Sequence, residues 1–173
     1  ASANSQVEIN NTNITNVDAN DAENYGAITV YSTATNAKVT VTGGSITVAD
    51  DSKKAYIFAE GATVTGVDEV GQIVAMIGDA GYETLTEAIA DAKEGQTVKM
   101  VYDATGAGVV IDKSITIDFA GKTYTVNQTV GSTGTTTLGL QILKDNTVTL
   151  KNGTLTSTAA VEGSKEVKML VQN

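Results

Sequence analysis

The chain has 173 residues and a net charge of −9, from 20 acidic residues against 11 Lys and no Arg, and it lacks Cys, His, Trp and Pro. Without Cys or His, zinc, copper, haem and iron–sulfur sites lose their usual ligands, and Ser–His or Cys–His nucleophilic catalysis lacks its imidazole base. An acidic chain without Arg is also a poor reader of phosphate backbones, so nucleic acid is not an expected partner.

Thr, Gly, Asn, Ser and Val abound while aromatic content is 5%, a mixture that suits many short strands joined by turns. No run of 18 apolar residues occurs, so membrane insertion is not expected. In chain order, the first signal is Val7-x-Ile9 followed five residues later by Ile14. The same spacing returns at Val39-x-Val41 with Ile46 and at Val148-x-Leu150 with Leu155. Each reads as a strand with two inward apolar residues, a polar turn at Asn11, Gly43-Gly44 or Asn152-Gly153, and a second strand. Alternation of period two broken by Asn or Gly is the pattern of a β-solenoid coil turning its corners. Such a coil cannot bury its inner face alone and needs coils stacked above and below it.

Between these units, Tyr25–Tyr31 and Ala55–Phe58 read as further strands. Ala62–Gly66 lines up with Val39–Gly43 at a spacing of 23 residues, which sets Val64 beside Val41. The longer interval of 32 from Val7 to Val39 requires a loop, assigned to the acidic stretch Asp18–Asn24. Gln72–Ile77 reads as a strand and Gly78–Gly81 as a turn. A helix is predicted over roughly 83–93, because Tyr82, Leu85, Ala88, Ile89 and Ala92 share one face. Thr84 and Glu87 have capping-box spacing, and Gly95 stands where a C-terminal cap belongs. A lone amphipathic helix amid strands is best explained as a cover over an open solenoid end.

Beyond it, 97–102, 109–111, 114–119 and 123–126 read as strands, with Ile115, Ile117 and Phe119 facing inward. Gln128–Thr137 reads as a loop bulging from the stack, and Leu138–Leu143 restores the core pattern. The first 67 residues match the last 36 in order, with Val39–Thr47 and Val148–Thr156 offset by 109. The simplest account is a tandem unit of roughly 110 residues. Two regions follow: coils over 1–77, and the helix with further coils over 78–173. The strand position at Val171–Asn173 is expected to leave a last coil uncovered, with edges that invite pairing to another copy.

Three segments carry a resemblance: Tyr82-Glu83-Thr84-Leu85-Thr86-Glu87-Ala88-Ile89, Gly95-Gln96-Thr97-Val98-Lys99-Met100, and Ile115 to Tyr124. Together with Leu140–Leu155 and its Asn152-Gly153-Thr154 turn, they resemble bacterial cell-surface and adhesin-like repeat proteins of the pectate-lyase-like, right-handed parallel β-helix class. The resemblance covers about half the chain. It implies an all-β, right-handed parallel β-helix with one short capping helix near 83–93, and an extracellular or cell-surface location. Many members are structural or adhesive, and others are polysaccharide lyases or hydrolases, so fold alone assigns no activity.

The lyases of this class rely on acidic Ca²⁺ clusters and a basic residue, commonly Arg, for which this chain has no matching position. Asp50-Asp51, Asp68-Glu69 and the Asp18/Asp21/Glu23 loop are the available carboxylates. Neighbours in a strand point to opposite faces, so the doublets are poor acid–base partners and read as solvated turns. The acidic loop lacks the regular spacing of a dedicated Ca²⁺ site. The Asn-x-Ser/Thr triplets at Asn10, Asn13, Asn127 and Asn152 are expected by chance in such a composition. Tyr25, Tyr31, Tyr56 and Phe58 pose a choice between a sugar-stacking platform and core packing, and core packing is favoured for Phe58 and at least one Tyr. No catalytic, cofactor or metal residue is therefore assigned. The expected function is a non-enzymatic module whose partners are other copies or adjacent repeats. A filament subunit and a carbohydrate-binding or carbohydrate-active protein, with glycans as partners, are the alternatives.

Overall fold

The computed structural model describes residues 2–16, 26–48, 53–131, 138–159 and 168–171. Among them the chain is mostly β, with nineteen short strands and a single helix. Two compact units divide it, Ala1–Ile73 and Val74–Asn173.

In the first unit the pairing is parallel throughout. β1 (Gln6–Asn10), β4 (Lys38–Thr42) and β7 (Thr63–Thr65) form one sheet, and β2 (Asn13–Asn16) pairs with β5 (Ser45–Val48). A third sheet joins β3 (Ile28–Val30), β6 (Ala55–Ile57) and β8 (Val70–Gln72). Val7 lies opposite Val39, Ile9 opposite Val41, and Ile14 opposite Ile46, so the repeated spacing of the sequence superimposes strand on strand. The core gathers Ile28, Val30, Ala34, Ala37, Val39, Val41, Ala55 and Ala59. Val39 and Val41, flanked on both sides, are 6% and 8% exposed, whereas Val7 on the edge strand is 38% exposed.

Corners are made by left-handed residues stacked in register. Asn4 (φ 58°), Asn36 (φ 56°) and Gly61 (φ 69°) form one column; Asn11 (φ 49°) and Gly43 (φ 69°) form another. The Asn4 N–H donates to Thr35 O, the Asn36 N–H to Glu60 O and the Asn11 N–H to Thr42 O, each at 2.8 Å. Asn tolerates this region better than other non-glycine residues. Gly is required at 43 and 61 for a second reason: a Cβ there would overlap the Asn11 and Asn36 carboxamides.

The second unit carries three parallel ladders. They are β11 (Thr97–Met100), β14 (Ile115–Asp118) and β17 (Val148–Lys151); β12 (Ala104–Ala107), β15 (Thr123–Gln128) and β18 (Thr154–Ser157); and β13 (Val109–Ile111), β16 (Leu138–Ile142) and β19 (Lys168–Val171). Each ladder skips two strands between neighbours, so the chain visits all three sheets before returning to the first. Inward residues alternate as the period-two pattern requires: Ile115, Ile117 and Phe119 are buried, as are Tyr124 and Val126. The leading edge of β11 is closed by β9 (Ala75–Ile77), which pairs antiparallel with both β11 and β10 (Ala80–Tyr82).

The helix α1 (Leu85–Asp91) contacts β9 to β13, the hairpin and the first strand of each ladder. Leu85, Ala88, Ile89 and Ala92 are all at most 3% exposed and join Val98, Met100, Ile111 and Ile115 in one core. Thr84 caps it, its Oγ1 accepting from the Glu87 N–H at 3.1 Å.

Five expectations are corrected. Val64 pairs with Val39 rather than Val41, a slip of two residues that keeps every side chain on its face and so leaves no trace in the alternation. The helix is shorter than 83–93, because Ala92 at its C-cap is already extended (ψ 141°). Gly95 is consequently no helix cap; its left-handed turn (φ 78°) instead lets its N–H donate to Ser114 O at 2.7 Å. Gln72–Ile77 is two strands, β8 and β9, because the Ile73 N–H goes to Ile57 O and the Val74 N–H to Tyr82 O. Finally, Ala80 and Gly81, read as turn, are strand residues of the β9–β10 hairpin, with only Gly78 and Asp79 between the strands.

Candidate functional site

Among the described residues the acidic groups do not converge: no three of Asp, Glu, His or Cys lie close enough to hold a metal ion. Asp68 is exposed and pairs with Lys54 at 2.8 Å. That hydrogen bond holds the Asp68 carboxyl below its ordinary value and raises the Lys54 ammonium. Glu69 beside it is exposed in a left-handed turn (φ 57°). Asp18, Asp21, Glu23, Asp50, Asp51 and Tyr25 lie outside the described residues.

Of the aromatic candidates, Tyr56 and Phe58 are buried, 5% and 3% exposed. Tyr31 is 55% exposed and stacks on Phe58, ring centroids 6.2 Å apart and planes at 26°. Core packing thus claims Phe58 and Tyr56, and the exposed Tyr31 ring, with one face already occupied by Phe58, is a small platform for a sugar.

Two concavities among the described residues bear on function. One of about 250 Å³ lies beside the helix, lined by Thr84, Thr86, Ala104, Gly106, Ala107 and Tyr124 among others. Its one buried titratable group is committed: the Tyr124 hydroxyl donates to Ala107 O at 2.7 Å. Burial raises its phenol pKa, with the Thr86 side chain pulling partly the other way, so it stays protonated and is no base near neutral pH. The second recess, about 310 Å³, exposes the side of β5. There the chain turns from β7 to β8 through Gly66 (φ 77°) and Glu69 without laying a third strand on the β2–β5 sheet. The Lys54–Asp68 pair stands at its rim.

The most extensive unsatisfied chemistry is backbone. β1 and β2 occupy the leading edges of their sheets, and β17 and β18 the trailing edges of theirs, with no further strand beyond them among the described residues. An edge strand presents a row of unpaired N–H and C=O groups, a template for another strand. The apolar side chains on these edges are also incompletely covered: Ile9, Ile14, Val148, Leu150 and Leu155 are half-buried. Asp118 fixes the turn after β14 and ties it to the edge: its Oδ1 accepts from the Ala120 N–H at 2.9 Å and from the Asn152 amide at 3.1 Å, and Lys151 lies 3.4 Å from its Oδ2. The Ala120 N–H is the largest of the influences that hold the Asp118 carboxyl below its usual range, followed by Asn152 and Lys151.

No family model matches the chain, and no curated protein or solved structure matches it either. The uncovered coil expected from the sequence was placed at Val171–Asn173, of which Gln172 and Asn173 lie outside the described residues. That expectation named neither the edges of β1, β2, β17 and β18 nor the recess beside β5, which arises from a strand that the chain omits.

Proposed function

We propose that the stacked ladders are coils of a right-handed parallel β-helix, and that the chain is a non-enzymatic structural or adhesive module of a bacterial extracellular surface. In this reading it works by assembling end to end with neighbouring copies or repeats. The observation that carries the reading is the parallel register itself: three sheets in each unit take successive strands in rotation, and among the described residues β1 and β2 form leading edges and β17 and β18 trailing edges with no further strand beside them. The β9–β10 hairpin and helix α1 cover the leading side of the second unit, and among the described residues no strand follows β17 or β18 in their sheets. Stacking is the interaction such a repeat already uses internally, so extending it requires no new chemistry. The extracellular setting rests on the family resemblance.

Electron microscopy and analytical ultracentrifugation of the purified protein test it. Linear oligomers or fibres that grow with concentration are the expected result. A strictly monomeric species at millimolar concentration would overturn it.

A further inference from the structure

We infer that the trailing edge of β17–β18 in one molecule is a docking surface for the leading edge of β1–β2 in a second copy, in the parallel register Val148–Val7, Leu150–Ile9, Asn152–Asn11 and Leu155–Ile14. The inference rests on the end-to-end reading above and adds to it the partner strands and their alignment.

Four observations converge on this pairing. The two edges are the same template: in both, two apolar residues alternate, a left-handed Asn follows two positions later, and an apolar residue comes three after that. Asn152 (φ 57°) and Asn11 (φ 49°) make the same turn. The structure already stacks this template on itself, since β1–β2 lies on β4–β5 with both strand pairs at the same offset. It also stacks one left-handed Asn on another, at Asn4 and Asn36, where the Asn4 N–H donates to Thr35 O at 2.8 Å.

Polarity agrees as well. β17 and β18 end ladders that advance from β11 and β12, and β1 and β2 begin ladders that advance to β4 and β5. Joining a trailing edge to a leading edge continues the parallel order, whereas joining two leading edges would reverse it. The contact is heterologous, so each added copy brings the same pair of edges, and the assembly grows as a ring or an open filament according to the rotation between copies.

Apolar and charged residues complement one another across it. Val7, 38% exposed, would gain the second flanking strand that keeps Val39 at 6%. Lys151 would lie diagonally from Glu8 on the outward face, both being exposed. Diagonal neighbours are within reach of long side chains. Lys151 already faces Asp118 on its other side, so the added carboxylate continues an alternation of charge along the ladder.

The absence of cysteine makes the test clean. Glu8→Cys and Thr149→Cys are substitutions at exposed strand positions that this register sets directly opposite, where the Cα separation suits a disulfide. The two purified variants are mixed, oxidised and mapped by mass spectrometry, with circular dichroism confirming that each is folded. The expected result is a mixed Glu8→Cys/Thr149→Cys disulfide several-fold more abundant than either homotypic one, with the yield falling several-fold when Asn10→Cys replaces Glu8→Cys. Oligomers by light scattering without any excess of the mixed product would overturn this interface and leave end-to-end assembly standing. Absence of association at every concentration would remove both.

Discussion

At the scale of single residues, the corners are held by a division of labour between Asn and Gly. Asn36 and Gly61 both sit at positive φ, one layer apart, but they are not interchangeable. Gly61→Ala must place a Cβ in the left-handed region, at a cost of roughly 1–2 kcal/mol, and must also displace the Asn36 carboxamide. The double variant Asn36→Gly/Gly61→Ala keeps the backbone strain and removes the overlap. Urea unfolding should therefore show the second substitution recovering part of the first one's loss. Strict additivity of the two losses would show that the carboxamide contact is irrelevant. Asp118 makes a pH-dependent contribution of known sign. Its folded pKa lies below the unfolded value of about 3.9, so its stabilisation is fully present above that value and disappears as pH falls through the folded pKa. The stability gap between wild type and Asp118→Asn should be largest at pH 5 and above, and should close toward pH 2. A gap that stays constant in chemical denaturation across that range would contradict the assigned hydrogen bonds from Ala120 and Asn152.

At the scale of elements, the helix was legible because its apolar residues recur at helical spacing and because Thr84 offers a capping oxygen; Thr84→Ala should cost about 1 kcal/mol. Ile89, 1% exposed beneath it, should cost about 2–5 kcal/mol when cut to Ala, measured as a shift of the urea midpoint at unchanged slope. The strands with Val, Ile and Thr alternation were equally readable. β12 was not, because Ala104-Thr105-Gly106-Ala107 carries no large apolar residue to reveal a period. Its small residues are explained only by the neighbour: a Cβ at Gly106 would meet the Tyr124 hydroxyl 2.5 Å away. The placement of β7 was half-readable. Period two identifies which face a side chain takes, but a shift of two residues satisfies it equally, and the Asn36–Gly61 corner is what selects Val39 over Val41 as the partner of Val64. The hairpin of β9 and β10 was hidden for a third reason. Ala80-Gly81 has turn-like composition, and only the antiparallel pairing with β9, itself closed against β11, makes it a strand. The candidate site followed the same division: sequence marked which strands repeat, while which edges stay free depends on pairings between distant segments.

At the scale of the molecule, the charge of −9 opposes the proposed edge-to-edge association. Two copies repel through their net charge over a range set by the Debye length, about 30 Å at 0.01 M salt and about 10 Å at 0.1 M. Against this stands one complementary pair, Glu8 with Lys151, and an exposed ion pair is worth about 0–1 kcal/mol. Backbone pairing and apolar burial at the edge are insensitive to salt by comparison, so the net electrostatic balance is repulsive and screening it should help. Light scattering at fixed protein concentration should accordingly rise as NaCl goes from about 10 mM to about 500 mM, where the Debye length falls to a few ångströms. Lowering the pH toward the isoelectric point near 4.3 should act in the same direction by removing the repulsion at its source. Glu8→Gln separates the two electrostatic terms, because it deletes the attractive pair and one unit of net negative charge together. If repulsion dominates, this variant assembles at least as well as wild type at low salt. If assembly instead weakens with added salt and with Glu8→Gln, the contact is held by charge pairing, and the strand edges contribute less than their free hydrogen-bonding groups imply.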